Sequence, residues 1–182
     1  MEGFSRTDRE ERGLSGGVVG IVFVAAAVVE EGYVHGDLPF GVAEVCSLFL
    51  WWWWWWWWCK WGLIANLDDP IQGGAIHCVQ PEQTLFNDLD EEEKGKWLDV
   101  LKPLPAQGWN GTTIYAGWKD VKSVYLICEE DQVIPAILQE ELAGLAGSRI
   151  ERCSAGHLPH LSQPSRIVEV IKDAVAALFD VL

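Results

Sequence analysis

Two short stretches toward the C-terminus carry residue types that can work on an acyl group. Asp131 follows the apolar run Val124-Tyr-Leu-Ile-Cys128, and His157 follows Arg149-Ile-Glu-Arg-Cys153. Serine is a poor nucleophile at neutral pH until an imidazole takes its proton. The imidazole in turn needs a carboxylate to fix its tautomer and steady its positive charge. Asp131 and His157 can be that carboxylate and that imidazole if their strands leave the same edge of one sheet. Taken singly, Asp131 also reads as a helix cap and His157 as a loop histidine.

The elements around them read as β-α-β-α. Pro135 opens a helical stretch, Ala136-Ile-Leu-Gln-Glu-Glu-Leu-Ala143, and Pro164 opens another over residues 165–182, because proline is preorganised for a first helical turn. Farther upstream, the continuous apolar run at residues 18–29 reads as a parallel strand covered on both faces. A leader core is the less favoured reading of this run, since Arg6, Arg9 and Arg12 before it are mixed with Asp8, Glu10 and Glu11, whereas a targeting segment is simply positive. The expected class is α/β, with parallel strands, flanking helices and an irregular, partly helical cap. One domain is expected over residues 1–182: a helix end and a strand at 1–32, the cap at 33–118, and a return to the sheet at 119–182.

Four segments in order resemble the α/β-hydrolase superfamily, in particular its small-esterase-like fungal and bacterial group. They are Gly16-Gly-Val-Val-Gly-Ile-Val-Phe-Val-Ala-Ala-Ala27, Phe86-Asn-Asp-Leu-Asp-Glu-Glu-Glu-Lys94, Thr113-Ile-Tyr-Ala-Gly-Trp-Lys-Asp120, and the stretch holding Asp131 and His157. The resemblance covers about residues 1–32 and 80–182. It implies chain order nucleophile, acid, histidine, each at the C-terminal tip of a strand, with His157 as general base and Asp131 as its orienting acid. It also implies that the G-x-S-x-G elbow, the oxyanion-hole loop and several strands belong before Met1, which would fall inside the helix after the nucleophile. The expectation is a partial α/β-hydrolase fold.

An internal match to the elbow, Gly13-Leu-Ser15-Gly-Gly17, precedes both Asp131 and His157. An elbow needs a strand before the serine and a helix after it, because the strained turn lifts the hydroxyl out of the sheet. Here the charged, helix-like Arg6-Thr-Asp-Arg-Glu-Glu-Arg12 comes first and the apolar run follows, so Ser15 is expected in a turn that enters a strand, on the sheet edge opposite His157. Ser5 is a weaker match still.

A net charge of −14 and a pI near 4.5 lack the basic footprint that nucleic acid requires. Cys46, Cys59, Cys78, Cys128 and Cys153 form an odd set without C-x-x-C spacing, which suits a reducing, cytoplasmic setting. Eight consecutive tryptophans occupy residues 51–58. A single codon encodes Trp, so the tract implies a trinucleotide repeat, read as an expansion or a translated intron. With indole on every face it has no amphipathic period. Residues 45–65 are long and apolar enough to suggest a span, but Trp prefers the membrane interface to the hydrocarbon centre, and surface association or self-association fits better. Cys153, His157 and His160 lack a fourth ligand for zinc, and no phosphate-cradling loop is present, so no metal or cofactor is expected. Asn110-Gly-Thr112 fits a glycosylation sequon and reads as a turn. Asp88-Leu-Asp-Glu-Glu-Glu93 reads as a solvated helix start, followed by an apolar stripe of Trp97, Leu98, Val100 and Leu101. Trp97, Trp109 and Trp118 could line a pocket, with core packing the favoured use.

Two functions follow. One is hydrolysis of a small-molecule ester or amide by acyl transfer, with the chain catalytically incomplete for want of its nucleophile. The other is a non-catalytic remnant with at most a binding or membrane-surface role.

Overall fold

The computed structural model describes residues 3–34, 71–72, 74–107 and 111–179. The tryptophan tract, the stretch at 45–65, Trp109, Asn110, Cys46 and Cys59 lie outside them.

Three parallel strands, β1 (Gly20–Val24), β5 (Lys122–Cys128) and β6 (Arg149–Cys153), form a sheet in the order β1-β5-β6. Side chains alternate across a strand, so the central strand builds two cores. Val124, Leu126 and Cys128 face one way with Val22, Val24, Cys153 and Ala155. Helix α6 (Pro164–Phe179) covers them with Ile167, Val170 and Ala174, one helical stripe. Tyr125 and Ile127 face the other way, packing with Phe23, Trp118 and helix α4 (Ala136–Leu145) through Leu142, Ala143 and Ala146. Coverage on both faces is why β5 reads as an unbroken apolar run.

The strand expected at 18–29 is shorter, ending at Val24. Ala25 adopts a positive φ of 42°, which no strand continues through. The Tyr125 hydroxyl holds the departing chain, donating to the Ala26 carbonyl at 2.6 Å and accepting from the Ala26 N–H at 3.1 Å. Just before β1, helix α1 (Arg6–Glu11) is capped by the Ser5 hydroxyl, which accepts from the Asp8 N–H.

Helices α2 (Pro81–Thr84), α3 (Glu91–Val100) and α5 (Pro159–Ser162) are short connectors. Asp90 caps α3, accepting from the Glu93 N–H at 2.9 Å, with Glu91 to Glu93 in the first turn where the helix dipole favours anions. The apolar stripe expected on α3 is not buried: Val100 and Leu101 are 58% and 40% exposed. The Trp97 indole instead donates to Glu93 Oε2.

The chain groups into two compact units: residues 1–31, 80–101 and 113–182, which hold the parallel sheet, and residues 32–79 and 102–112. Residues 80–101, placed by the sequence reading in the cap, group with the sheet. The second unit contains a small antiparallel sheet of β2 (Ile71–Gln72), β3 (Ala75–Ile76) and β4 (Leu104–Pro105). Among the described residues, no helix is long and apolar enough to cross a membrane.

Candidate active site

Register brings the two candidate residues together. Cys128 pairs with Cys153 at the C-terminal ends of β5 and β6, so the loops leaving these strands start level. The ladder continues past the strand ends: the Glu129 N–H donates to the Cys153 carbonyl at 2.9 Å and the Glu130 N–H to the Ala155 carbonyl at 3.0 Å. Asp131 and His157 emerge side by side, with His157 Nδ1 2.9 Å from Asp131 Oδ2.

The carboxylate is fully enclosed and the imidazole side chain keeps 19% of its exposure. Asp131 Oδ1 accepts from the N–H groups of Val133 at 2.7 Å and Ile134 at 3.0 Å, a turn in which the aspartate side chain takes the place of a backbone acceptor. Oδ2 accepts from Gln139 Nε2 at 3.1 Å. A carboxylate with donors on both oxygens acts as an acceptor toward His157 too, which places the imidazole proton on Nδ1 and leaves the Nε2 lone pair available. Among the described residues, His157 Nε2 has no hydrogen-bond partner.

Ser15 lies elsewhere. It precedes β1, is exposed, and its carbonyl accepts from the Arg9 guanidinium. Because the three strands are parallel, Ser15 stands at the N-terminal edge of the sheet and His157 at the C-terminal edge. Ser5 is a helix cap, as described above. His160 is exposed on α5. Among the described residues, no three His, Cys, Asp or Glu side chains are grouped to hold a metal. Trp118 packs in the core and donates its indole N–H to the Val29 carbonyl at 2.8 Å.

Three supporting residues escaped the sequence reading. Gln139 is wholly buried behind Asp131; the available signal was a polar residue on the stripe of Leu142, Ala143 and Ala146 at helical spacing. Asn87 and Asp88 clamp both loops at once. Asn87 Nδ2 donates to the Glu130 carbonyl at 2.9 Å, while Asp88 Oδ2 accepts from the Gly156 N–H at 2.7 Å and the Ser162 hydroxyl at 2.5 Å. Asp88 is therefore not part of the solvated helix start, which begins at Asp90. Beneath the site, the thiols of Cys128 and Cys153 lie 3.7 Å apart. Their mutual hydrogen bond, reinforced by burial, pushes the Cys128 thiol up, and the same bond draws Cys153 down against its burial.

Comparison with known proteins gives a consistent lineage. The chain superposes on polyneuridine aldehyde esterase with a TM-score of 0.55 and 13% identity, covering 93% of this chain and 66% of that one. It superposes on a methylesterase protein, MES16, from Arabidopsis with a TM-score of 0.58 and 13% identity, covering 88% of this chain and 60% of that one. These likenesses establish the fold alone. An alpha/beta hydrolase, nvfD, from Aspergillus novofumigatus is 29% identical over 99 residues, 53% of this chain and 40% of its own length. The chain thus spans less than two thirds of the relatives it matches. The model of the alpha/beta hydrolase family matches residues 10–170, and this chain belongs to that family.

Proposed function

We propose that the chain carries the acid–base pair of an acyl-transfer site for a small ester or amide, with His157 as general base and Asp131 as the acid that orients it. The observation behind this reading is the 2.9 Å Nδ1–Oδ2 bond at the level ends of two parallel strands. In that arrangement Nε2 accepts the proton of a nucleophilic hydroxyl and later gives it to the leaving group, while Asp131 stabilises the imidazolium. The esterases among the structural neighbours support an ester substrate. The closely spaced, unbridged thiols of Cys128 and Cys153 support a reducing, cytoplasmic setting.

A second reading is kept on one observation: no described residue hydrogen-bonds His157 Nε2. On that reading the 182-residue chain alone is silent, and at most binds. The two are separated by assaying small activated esters and a fluorophosphonate probe with the chain alone, and with the chain fused behind an elbow-bearing segment of a family relative. The chain alone is expected to show neither labelling nor turnover above its His157→Ala variant. The folded fusion is expected to gain turnover that His157→Ala removes. Turnover in the fusion indifferent to His157 would sink the acid–base assignment, and stoichiometric labelling of the chain alone that Ser15→Ala abolishes would make Ser15 a nucleophile.

A further inference from the structure

We propose that Gln139 is a positioning residue: its side-chain amide fixes the Asp131 carboxylate and, through it, the tautomer of His157. The proposal rests on the acid–base reading of that pair, and its test does not require turnover.

Gln139 is 0% exposed, and an amide placed in the interior is costly unless its donors and acceptor are matched. Here they are. Oε1 accepts from the Cys128 N–H at 3.0 Å, while Nε2 lies 3.3 Å from the Cys128 carbonyl, 2.6 Å from the Ile134 carbonyl and 3.1 Å from Asp131 Oδ2. The amide can point only one way, since turning it over would set Oε1 against two carbonyls and a carboxylate. One side chain of α4 therefore ties together the tip of β5, the turn after it and the carboxylate.

The division of donors between the two carboxylate oxygens gives this amide its function. Both backbone bonds land on Oδ1. Bonds to one oxygen leave the other free to swing about it. Gln139 holds Oδ2, the oxygen that faces His157 Nδ1. With Oδ2 fixed, the imidazole has one favourable arrangement, proton on Nδ1 and lone pair on Nε2. Without Gln139, Oδ2 moves off the ring plane and the alternative tautomer, proton on Nε2 and useless to a general base, becomes accessible.

Long-range proton–nitrogen spectra of the full chain labelled with 15N-histidine read this directly, with His157 assigned by the signal that His157→Ala removes. Wild type is expected to show neutral His157 protonated on Nδ1. In Gln139→Met and Gln139→Leu, the Nε2–H form should rise from a minor species to about half of the neutral imidazole. A purely structural Gln139 would lower the melting temperature of these variants and leave the tautomer untouched, and that outcome overturns the proposal. Should neither variant fold, the wild type decides: a scalar coupling across the hydrogen bond from Gln139 Nε2 to Asp131 Cγ supports it, and its absence overturns it. Failure of the elbow fusion to turn over would count against the acid–base reading and leave these spectra standing.

Discussion

Asp131 accepts four hydrogen bonds on two oxygens, so replacing it by asparagine has a defined consequence. If the new Oδ1 keeps the two backbone donors, the new amide nitrogen faces Gln139 Nε2 and His157 Nδ1, donor against donor. His157 must then give up its Nδ1 proton. Asp131→Asn is expected to invert the tautomer, to cost about 1–3 kcal/mol in urea unfolding, and to lower kcat of the elbow fusion by about 10⁴-fold. Cysteine chemistry gives a second test. Cys78 is exposed, whereas Cys128 and Cys153 are buried and Cys128 is held protonated by its neighbour and by burial. Alkylation needs a thiolate that the reagent can reach, so burial shields Cys153 even though its thiol is drawn down, and iodoacetamide on the native chain followed by peptide mass analysis should find Cys78 alkylated and Cys128 and Cys153 protected until denaturant is added. That Asp131 and His157 stand side by side was legible because each follows a strand-like run in the order that the family resemblance implies. Gln139 and Asp88 were not, because what they bond to is distant in sequence or backbone in nature, and composition around Asp88 advertises only a charged helix start.

Strand ends and the loops between them are where the site is held or lost. The α2–α3 connection supplies Asn87 and Asp88, and Gly156 is where it presses against the His157 loop: a Cβ there would stand 2.3 Å from Asn87 Oδ1 and 2.8 Å from Asp88 Oδ1. Neither oxygen can retreat without breaking the bonds to Glu130 or to Gly156 and Ser162. Gly156→Ala is therefore expected to cost about 1–3 kcal/mol by overpacking, and to speed hydrogen exchange of the amides around residue 157 more than those of β5. Equal acceleration in both places would argue against a local clamp. β5 and α4 were legible from an apolar run and a proline start, β6 has the anticipated bounds, and β1 was legible as a strand that proved shorter, whereas strands β2 to β4, of two residues each, are too short to carry a periodic signal. The α3 stripe failed for a physical reason. Leu98 and Val100 lie on a helix with no buried residue, so its amphipathic spacing reports no packing partner.

The two outer strands of the parallel sheet differ in how they meet solvent. β6 carries Arg149, Glu151 and Arg152, with Glu151 paired to Arg166 at 2.9 Å, and charge of this kind blocks further strand pairing. β1 is Gly-Ile-Val-Phe-Val and, apart from the Ser5–Val18 bridge below it, has β5 as its strand neighbour among the described residues. The latch between Tyr125 and Ala26 carries a last consequence, in alkali. Burial raises the Tyr125 pKa above its ordinary 10.0, so above that pH the unfolded chain sheds a phenolic proton that the native chain retains. Stability present below pH 10 must then fall as pH rises. Of the tyrosinate absorbance, the part that Tyr125→Phe removes should therefore appear together with unfolding rather than before it, and Tyr125→Phe should flatten the alkaline limb of the stability profile.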